Sequence, residues 1–175
     1  MARVARGLGE RGWRVARFEF PYMRARRSSG KRGAPDRGPV LRESWLETIA
    51  ALGGGEKLVI GGKSMGGRIA SMVADEASVR GLVCLGYPFH PPGKPDALRT
   101  RHLADLATPA LFVQGERDAF GTRDDVAGYR LSPAIRLLWM EAGDHSFKPP
   151  ARSGATEAGN LEKAIEAVAD FLSSL

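Results

Sequence analysis

The chain has 175 residues, of which 43% are hydrophobic and 26% charged, a balance typical of one globular domain with a hydrophobic core. Its apolar runs, such as residues 81–87, are much shorter than the roughly 20 residues that cross a bilayer, which excludes a membrane-spanning helix. A single cysteine, Cys84, excludes an intrachain disulfide, and the N-terminus lacks the apolar core of a signal peptide. We therefore expect a cytoplasmic protein with no membrane partner.

The net charge is +6 at pH 7, and much of the excess lies between residues 23 and 39. Such a stretch can bind an anionic partner, but we favour its interpretation as a solvated, arginine-rich loop. No zinc-ligand cluster, helix-turn-helix or RNA-binding aromatic motif accompanies it, so the sequence does not favour a nucleic-acid partner.

Helices and strands alternate along the predicted order of elements. The first half of the chain predicts a helix at 2–11, a strand at 13–20, the basic loop, a helix at 39–54, a strand at 57–62 and a helix at 64–77. The second half predicts a strand at 81–87, a helix at 97–106, a strand at 109–115, a helical turn at 122–130, a strand at 135–142 and a helix at 160–175 with Asn160 as its N-cap.

The central strands are continuous apolar runs and do not alternate with polar residues, which is typical of a parallel sheet covered on both faces. Neither a repeat nor a linker interrupts the pattern. The sequence therefore predicts a three-layer α/β fold with a mostly parallel sheet, forming one domain over residues 1–175.

Residues 62–66, Gly-Lys-Ser-Met-Gly, lie between a predicted strand and a predicted helix. A phosphate-binding loop would need glycine at position 57, which is Lys57, and the strand leaves no room for the loop. The alternative is the Gly-x-Ser-x-Gly turn that presents a nucleophilic serine, here Ser64, in a strained backbone conformation. We expect Gly62 and Gly66 both to pass close to neighbouring backbone, which would require glycine at both positions.

A serine hydroxyl needs a base, and the base needs an orienting carboxylate. Asp118 and His145 follow the ends of two later strands, in the order Ser, Asp, His that this fold class uses. Glu116 is an alternative acid, and Asp144 is expected to shape the turn. Two further histidines could serve as the base, namely His90, in a proline-rich loop, and His102, within a predicted helix.

The segments 59–71, 81–95, 113–121 and 143–149 together resemble a family of small α/β-hydrolases, mostly bacterial predicted hydrolases. The testis-expressed and NSL-complex hydrolase-like proteins are related to it, and dienelactone hydrolases are more distantly similar. The resemblance implies an α/β-hydrolase fold with Ser64, Asp118 and His145 as the catalytic triad. The Met65 amide, at the start of the helix that follows the serine, is expected to point where an oxyanion forms. This chemistry needs no metal and no organic cofactor.

Members of that family begin with further strands and a loop that supplies a second oxyanion-hole amide. This chain starts inside what the resemblance identifies as the first helix, so we expect a fold lacking the N-terminal strands. A strand absent between 13–20 and 57–62 would leave a gap in the sheet. Either the native protein starts upstream of Met1, which we favour, or the two strands close up or another chain fills the gap. Activity impaired by about 10²- to 10³-fold is the expected consequence of losing one oxyanion donor.

The expected substrate is a small soluble ester, held by loops that overhang the serine. The predicted substrate-binding residues are Tyr87, Pro88, His90 and Arg24. Basic side chains in these loops favour an anionic substrate, namely Arg24, Arg26, Arg27, Lys31, Arg32 and Lys94. A non-catalytic interaction module that binds a protein or nucleic acid through the basic stretch is the alternative.

Overall fold

A computed structural model describes residues 1–31 and 33–175, so the predicted contribution of Arg32 lies outside the described residues. Its sheet has four strands in the order β1-β2-β3-β4, and every neighbouring pair is parallel. The strands are β1 (Val59–Lys63), β2 (Gly81–Leu85), β3 (Ala110–Gly115) and β4 (Ile135–Met140). All four were predicted, with ends that differ by one or two residues.

Two apolar layers cover the sheet, as continuous burial along β2 and β3 requires. One layer packs side chains such as Ile60 and Phe112 against helices that contribute Leu41 and Ile69. The other packs Val83 and Val113 against helices that contribute Leu8 and Ile165. The predicted three-layer arrangement is therefore present.

The first three helices are α1 (Ala2–Glu10), α2 (Pro21–Ser29) and α3 (Gly38–Ala51). Helix α2 occupies much of the stretch predicted to be a basic loop, so that prediction was wrong. Pro21 occupies the first turn, and Gly30 ends the helix in the left-handed conformation at φ 68°. Both are ordinary helix boundary signals, and the high arginine content between them obscured the helix.

The predicted strand at 13–20 is absent, because these residues have no ladder partner. Its aromatic side chains instead pack on α3, with the rings of Phe18 and Trp45 centred 4.6 Å apart and Phe20 buried beside them. The alternation in the sequence therefore reflects burial of one side of an extended segment. Within the described residues, β1 is an edge strand of the sheet.

The remaining helices are α4 (Met65–Val73), α5 (Arg123–Ala127) and α6 (Glu157–Ser173), with a 3₁₀ turn at Arg101–Ala104 in place of the predicted helix at 97–106. Helix α6 starts three residues earlier than predicted. Thr156 caps it by accepting a hydrogen bond from the Gly159 N–H, so Asn160 is not the N-cap. Asn160 lies inside the helix with a buried side chain.

Because all four strands are parallel, the loops that follow them meet at the carboxyl edge of the sheet. Ser64 follows β1, Tyr87 follows β2, Asp118 follows β3 and His145 follows β4. This edge is where the sequence placed the functional residues.

Candidate active site

Ser64 lies in the tight turn between β1 and α4. Its φ of 53° and ψ of −122° are sparsely populated for any residue with a Cβ, which is the backbone strain that the sequence predicted. The Ser64 N–H donates to the Leu85 carbonyl at 2.9 Å and so fixes the turn against the end of β2. The serine side chain is thereby presented at the N-terminus of α4.

The glycines around this turn differ in how much space a side chain would have. A Cβ on Gly62 would lie 2.8 Å from the Gly66 carbonyl carbon and from the Gly67 nitrogen, so glycine is required there. A Cβ on Gly66 would meet nothing within 4 Å, so the prediction that Gly66 needs to be glycine for close backbone approach was wrong. Gly67 has that role, because its Cβ would lie 2.6 Å from the Gly62 carbonyl oxygen.

Alanine substitutions at positions 62 and 66 should therefore have opposite effects on stability. Gly66→Ala is expected to leave the free energy of unfolding unchanged or raise it by about 0.5–1 kcal/mol, since alanine is the better helix former. Gly62→Ala is expected to lower it by about 1–3 kcal/mol, because backbone must move to relieve the overlap. Urea unfolding of the matched pair measures both, and equal losses would contradict the different surroundings of the two glycines.

Ser64, His145 and Asp118 form a continuous chain of hydrogen bonds. The Ser64 Oγ lies 2.9 Å from His145 Nε2, and His145 Nδ1 lies 2.8 Å from Asp118 Oδ2. An ionised carboxylate only accepts hydrogen bonds, so Nδ1 carries the proton and Nε2 is free to accept the one on the serine hydroxyl. The structure thus brings together the three residues that the sequence selected.

Asp118 has no solvent exposure, and hydrogen-bond donors surround its carboxylate. The Phe120 N–H donates to Oδ1 at 2.9 Å, and the Gln114 side-chain amide donates to Oδ2 at 2.9 Å. The alternative acid, Glu116, faces away from the chain of hydrogen bonds. Its carboxylate pairs with Arg123 and accepts from the Ala142 N–H.

The loop that carries His145 is built around the carboxylate of Asp144. Its Oδ1 accepts from the N–H groups of Ser146 at 2.7 Å and Lys148 at 3.0 Å, which gives Asp144 the turn-shaping position that the sequence predicted. On the other side of the loop, the ring of Phe120 is centred 4.4 Å from the His145 ring. These contacts restrict the imidazole to a narrow range of orientations.

Asn160 holds both ends of the same loop from inside α6. Its side chain is 2% exposed, and its Nδ2 donates to the Glu141 carbonyl at 3.0 Å and to the Phe147 carbonyl at 2.9 Å. This role of Asn160 was not predicted, because asparagine near a helix start usually indicates a cap. A polar residue on the apolar side of the helix was the available signal.

His90, the first alternative base, is only 4% exposed and lies away from Ser64. Its Nδ1 is 2.9 Å from the Pro91 carbonyl oxygen, and its Nε2 lies 3.6 Å from Asp125 Oδ2. The buried side chain supports the loop after β2. Of the three histidines, only His145 contacts the Ser64 hydroxyl.

The remaining histidine, His102, contacts a different serine. Its Nε2 lies 2.8 Å from the Ser71 Oγ, but that hydroxyl already donates its proton to the Arg68 carbonyl. The imidazole therefore donates to Ser71 and cannot act as its base. Burial lowers the pKa of His102, and the nearby Arg68 and Arg42 lower it further.

The predicted substrate-binding residues do not share one surface. Tyr87 and Pro88 are buried together with His90, and the Tyr87 hydroxyl donates to the Arg99 carbonyl at 2.9 Å. Burial also raises the pKa of Tyr87, so its hydroxyl stays protonated. These side chains support the loop after β2 from below, whereas Arg24 is exposed on α2.

Lys63, at the first x of the Gly-x-Ser-x-Gly pattern, places a cation beside the serine. Lys63 ends β1, and its Nζ donates to the Ser146 Oγ at 2.8 Å, which joins the residue before Ser64 to the residue after His145. The neighbouring Met65 is the first residue of α4. Its N–H therefore has no carbonyl of a preceding helical turn to donate to. That N–H is available to a negative charge at Ser64.

The described residues contain no group of three His, Cys, Asp or Glu side chains arranged to hold a metal ion. None of the helices over 1–31 and 33–175 has both the length and the apolar character to cross a bilayer.

Comparison with known proteins gives consistent matches over nearly the whole chain. A family model described as an alpha/beta hydrolase domain matches residues 1–173. A solved structure from Xanthomonas campestris pv. campestris, assigned as a hydrolase of the alpha/beta superfamily, is 27% identical, covers 99% of this chain and 89% of its own, and has a TM-score of 0.68.

Two more distant solved structures share the fold. An alpha-beta serine hydrolase homologue from Coxiella burnetii is 20% identical over 99% of this chain and 74% of its own, with a TM-score of 0.67. A monoacylglycerol lipase from Paleococcus ferrophilus is 14% identical, covers 79% of this chain and 76% of its own, and has a TM-score of 0.60. At these identities the similarity concerns the fold, and it confirms the predicted fold class.

Proposed function

Because the chain belongs to the alpha/beta hydrolase domain family, as the resemblance of its motifs implied, we propose that it is a serine hydrolase acting on ester-type bonds. The observation that carries the proposal is the hydrogen-bonded chain from Asp118 through His145 to Ser64, at 2.8 and 2.9 Å. A scaffold that only binds a partner has no need of a strained serine with an aligned imidazole.

In the proposed reaction, the Ser64 Oγ attacks the carbonyl carbon of the ester while His145 Nε2 takes the hydroxyl proton. Asp118 keeps the imidazole in the required tautomer and stabilises the imidazolium. The carbonyl oxygen becomes an oxyanion that the Met65 N–H can bind. His145 then returns the proton to the leaving alcohol, and water hydrolyses the acyl-serine by the same steps.

We further propose that the substrate carries a negative charge, and the support comes mainly from Lys63. Of the basic side chains around the N-terminal loops, Arg26 is bonded to the Gly33 carbonyl and Arg27 pairs with Glu19 at 3.1 Å. Lys63, in contrast, directly precedes the serine and contacts Ser146 beside the base. An anionic acyl group at Ser64 would therefore meet a cation.

Esters with and without a charge on the acyl group test this substrate class. We expect p-nitrophenyl hemisuccinate to be hydrolysed with a kcat/KM about threefold to fivefold higher than p-nitrophenyl valerate, since an exposed ion pair contributes up to about 1 kcal/mol. The preference should fall in 1 M salt, which screens exposed charges, and disappear in Lys63→Met. Equal rates for both esters, or a preference that Lys63→Met retains, would contradict the role of Lys63.

A further inference from the structure

Gln114 is a fully buried amide in the middle of an apolar strand. It occupies the next-to-last position of β3, where its side chain follows Ala110 and Phe112 onto the face that packs against α3 and α4. Its exposure is 0%, and an apolar residue would suit this position better unless the amide has partners. The partners that it has link it to the proposed acid.

Four polar atoms surround the amide within hydrogen-bond distance. Its Oε1 accepts from the Tyr87 N–H at 2.7 Å, and its Nε2 donates to Asp118 Oδ2 at 2.9 Å. The same Nε2 also lies 3.1 Å from the Tyr87 carbonyl and 3.3 Å from the Gly121 carbonyl. One side chain thus joins the loop after β2 to the loop that carries Asp118.

The loop after β2 borders the proposed base as well. Gly86, next to Tyr87, has φ 62°, and a Cβ there would lie 2.9 Å from the His145 carbonyl oxygen and 3.3 Å from its Nδ1. Fixing the Tyr87 backbone therefore fixes the residue that lies against the imidazole. Gln114 therefore contacts the acid directly and reaches the base through the backbone of Gly86 and Tyr87.

Asp118 Oδ2 receives both the Gln114 Nε2–H and the His145 Nδ1–H. We propose that Gln114 is a positioning residue that selects the rotamer of Asp118 and limits how strongly its carboxylate attracts the imidazolium. The inference rests on the proposed function, because it assigns Gln114 a part in activating Ser64. A neutral donor on the shared oxygen takes up part of the negative charge that His145 would otherwise feel.

The charged groups around His145 are few, so the effect of Gln114 can be separated from theirs. Asp118 contacts the ring directly, Asp144 precedes it in the chain, and Lys63 reaches it only through Ser146. None of these charges changes when Gln114 is replaced by a neutral residue. A displaced pH profile for the labelling of Ser64 would then report the lost donor.

The test is the pH dependence of Ser64 labelling by a fluorophosphonate, which needs no knowledge of the substrate. The Ser64 oxygen bonds to phosphorus and displaces fluoride, while His145 takes the hydroxyl proton. The rate constant therefore depends on an unprotonated His145. The rate constant reports reactivity, whereas the final extent of labelling reports how much protein is folded. A variant that is merely unstable should show a lower final extent of labelling, with no shift in the pH profile of its rate constant.

Gln114→Met keeps the volume of the side chain but cannot donate to Asp118. We expect the plateau rate constant to fall about tenfold, because a loosened acid and base cost this much in alignment. The acid limb of the profile should also move to higher pH, since the carboxylate with fewer donors stabilises the imidazolium more. The matched control is Ser132→Ala, which removes a buried hydrogen bond to the Leu106 carbonyl and should leave the profile unchanged.

Gln114→Glu gives a second, near-isosteric test that keeps an acceptor for the Tyr87 N–H. Two carboxyl groups in contact share one proton at neutral pH, so a new inflection should appear at alkaline pH where this proton leaves. If the labelling rate constant of the Met or the Glu variant depended on pH as in the parent protein, the role of Gln114 would be overturned. Parent protein whose Ser64 does not react would instead overturn the proposed function and this inference with it.

Discussion

Ser64→Ala is expected to lower the turnover of an activated ester by about 10⁴- to 10⁶-fold, the range seen when a serine nucleophile is removed. The reason is that the substitution removes the hydroxyl that lies 2.9 Å from His145 Nε2. Binding and any oxyanion donor remain, so a small residual rate over water should persist. Turnover by purified parent and variant, at matched concentration, measures the effect.

Ser71→Ala is the matched control, because Ser71 also contacts a histidine at 2.8 Å but donates its own proton elsewhere. It should keep the parent turnover. If Ser64→Ala retained more than about a tenth of the parent rate, hydrolysis would not pass through an acyl-serine at this position. That result would overturn the proposed role of Ser64 and would point to another nucleophile.

Asp118→Asn is expected to reduce turnover by about 10⁴-fold, the scale found when a triad aspartate becomes asparagine. If the oxygen of the new asparagine accepts from the Phe120 N–H, its NH₂ group takes the place of Oδ2. This NH₂ group would then face the N–H donors of Gln114 and His145, which it cannot accept from. The imidazole would then adopt the tautomer with its proton on Nε2. In this tautomer it donates to Ser64 and cannot take the serine proton.

Glu116→Gln serves as the comparison for the acid. Glu116 lies in the same loop, but its carboxylate pairs with Arg123 and the Ala142 N–H, so its loss should lower turnover by less than about tenfold. The same turnover assay applies to both variants. A larger loss in Glu116→Gln than in Asp118→Asn would assign the acid role to Glu116, the alternative that the sequence left open.

The sequence could predict the strands and the residues at their ends because both depend on local rules. Continuous apolar runs mark strands that are covered on both faces, and parallel strands bring the residues that follow them to one edge. The meeting of Ser64, Asp118 and His145 follows from these two facts. The substrate class and the roles of the three residues remain proposals.

The predictions that failed depended on contacts between distant parts of the chain. The alternating pattern at 13–20 records that one side is buried, but α3 covers it and no strand pairs with it. Glycine at position 66 fits a familiar motif, yet the close approach is at Gly67. Gln114 and Asn160 were missed because their partners, in other loops, are recognisable only once the fold is formed.

The location of a fluorophosphonate adduct in the parent chain tests directly whether Ser64 is the nucleophile. Trypsin should cut after Lys63 and Arg68 and release the peptide of residues 64–68, whose only serine is Ser64. Mass spectrometry is predicted to find the phosphonate on this peptide alone, and to find none in Ser64→Ala. An adduct on another serine, or folded parent protein that remains unmodified, would contradict the assignment of Ser64 as the nucleophile.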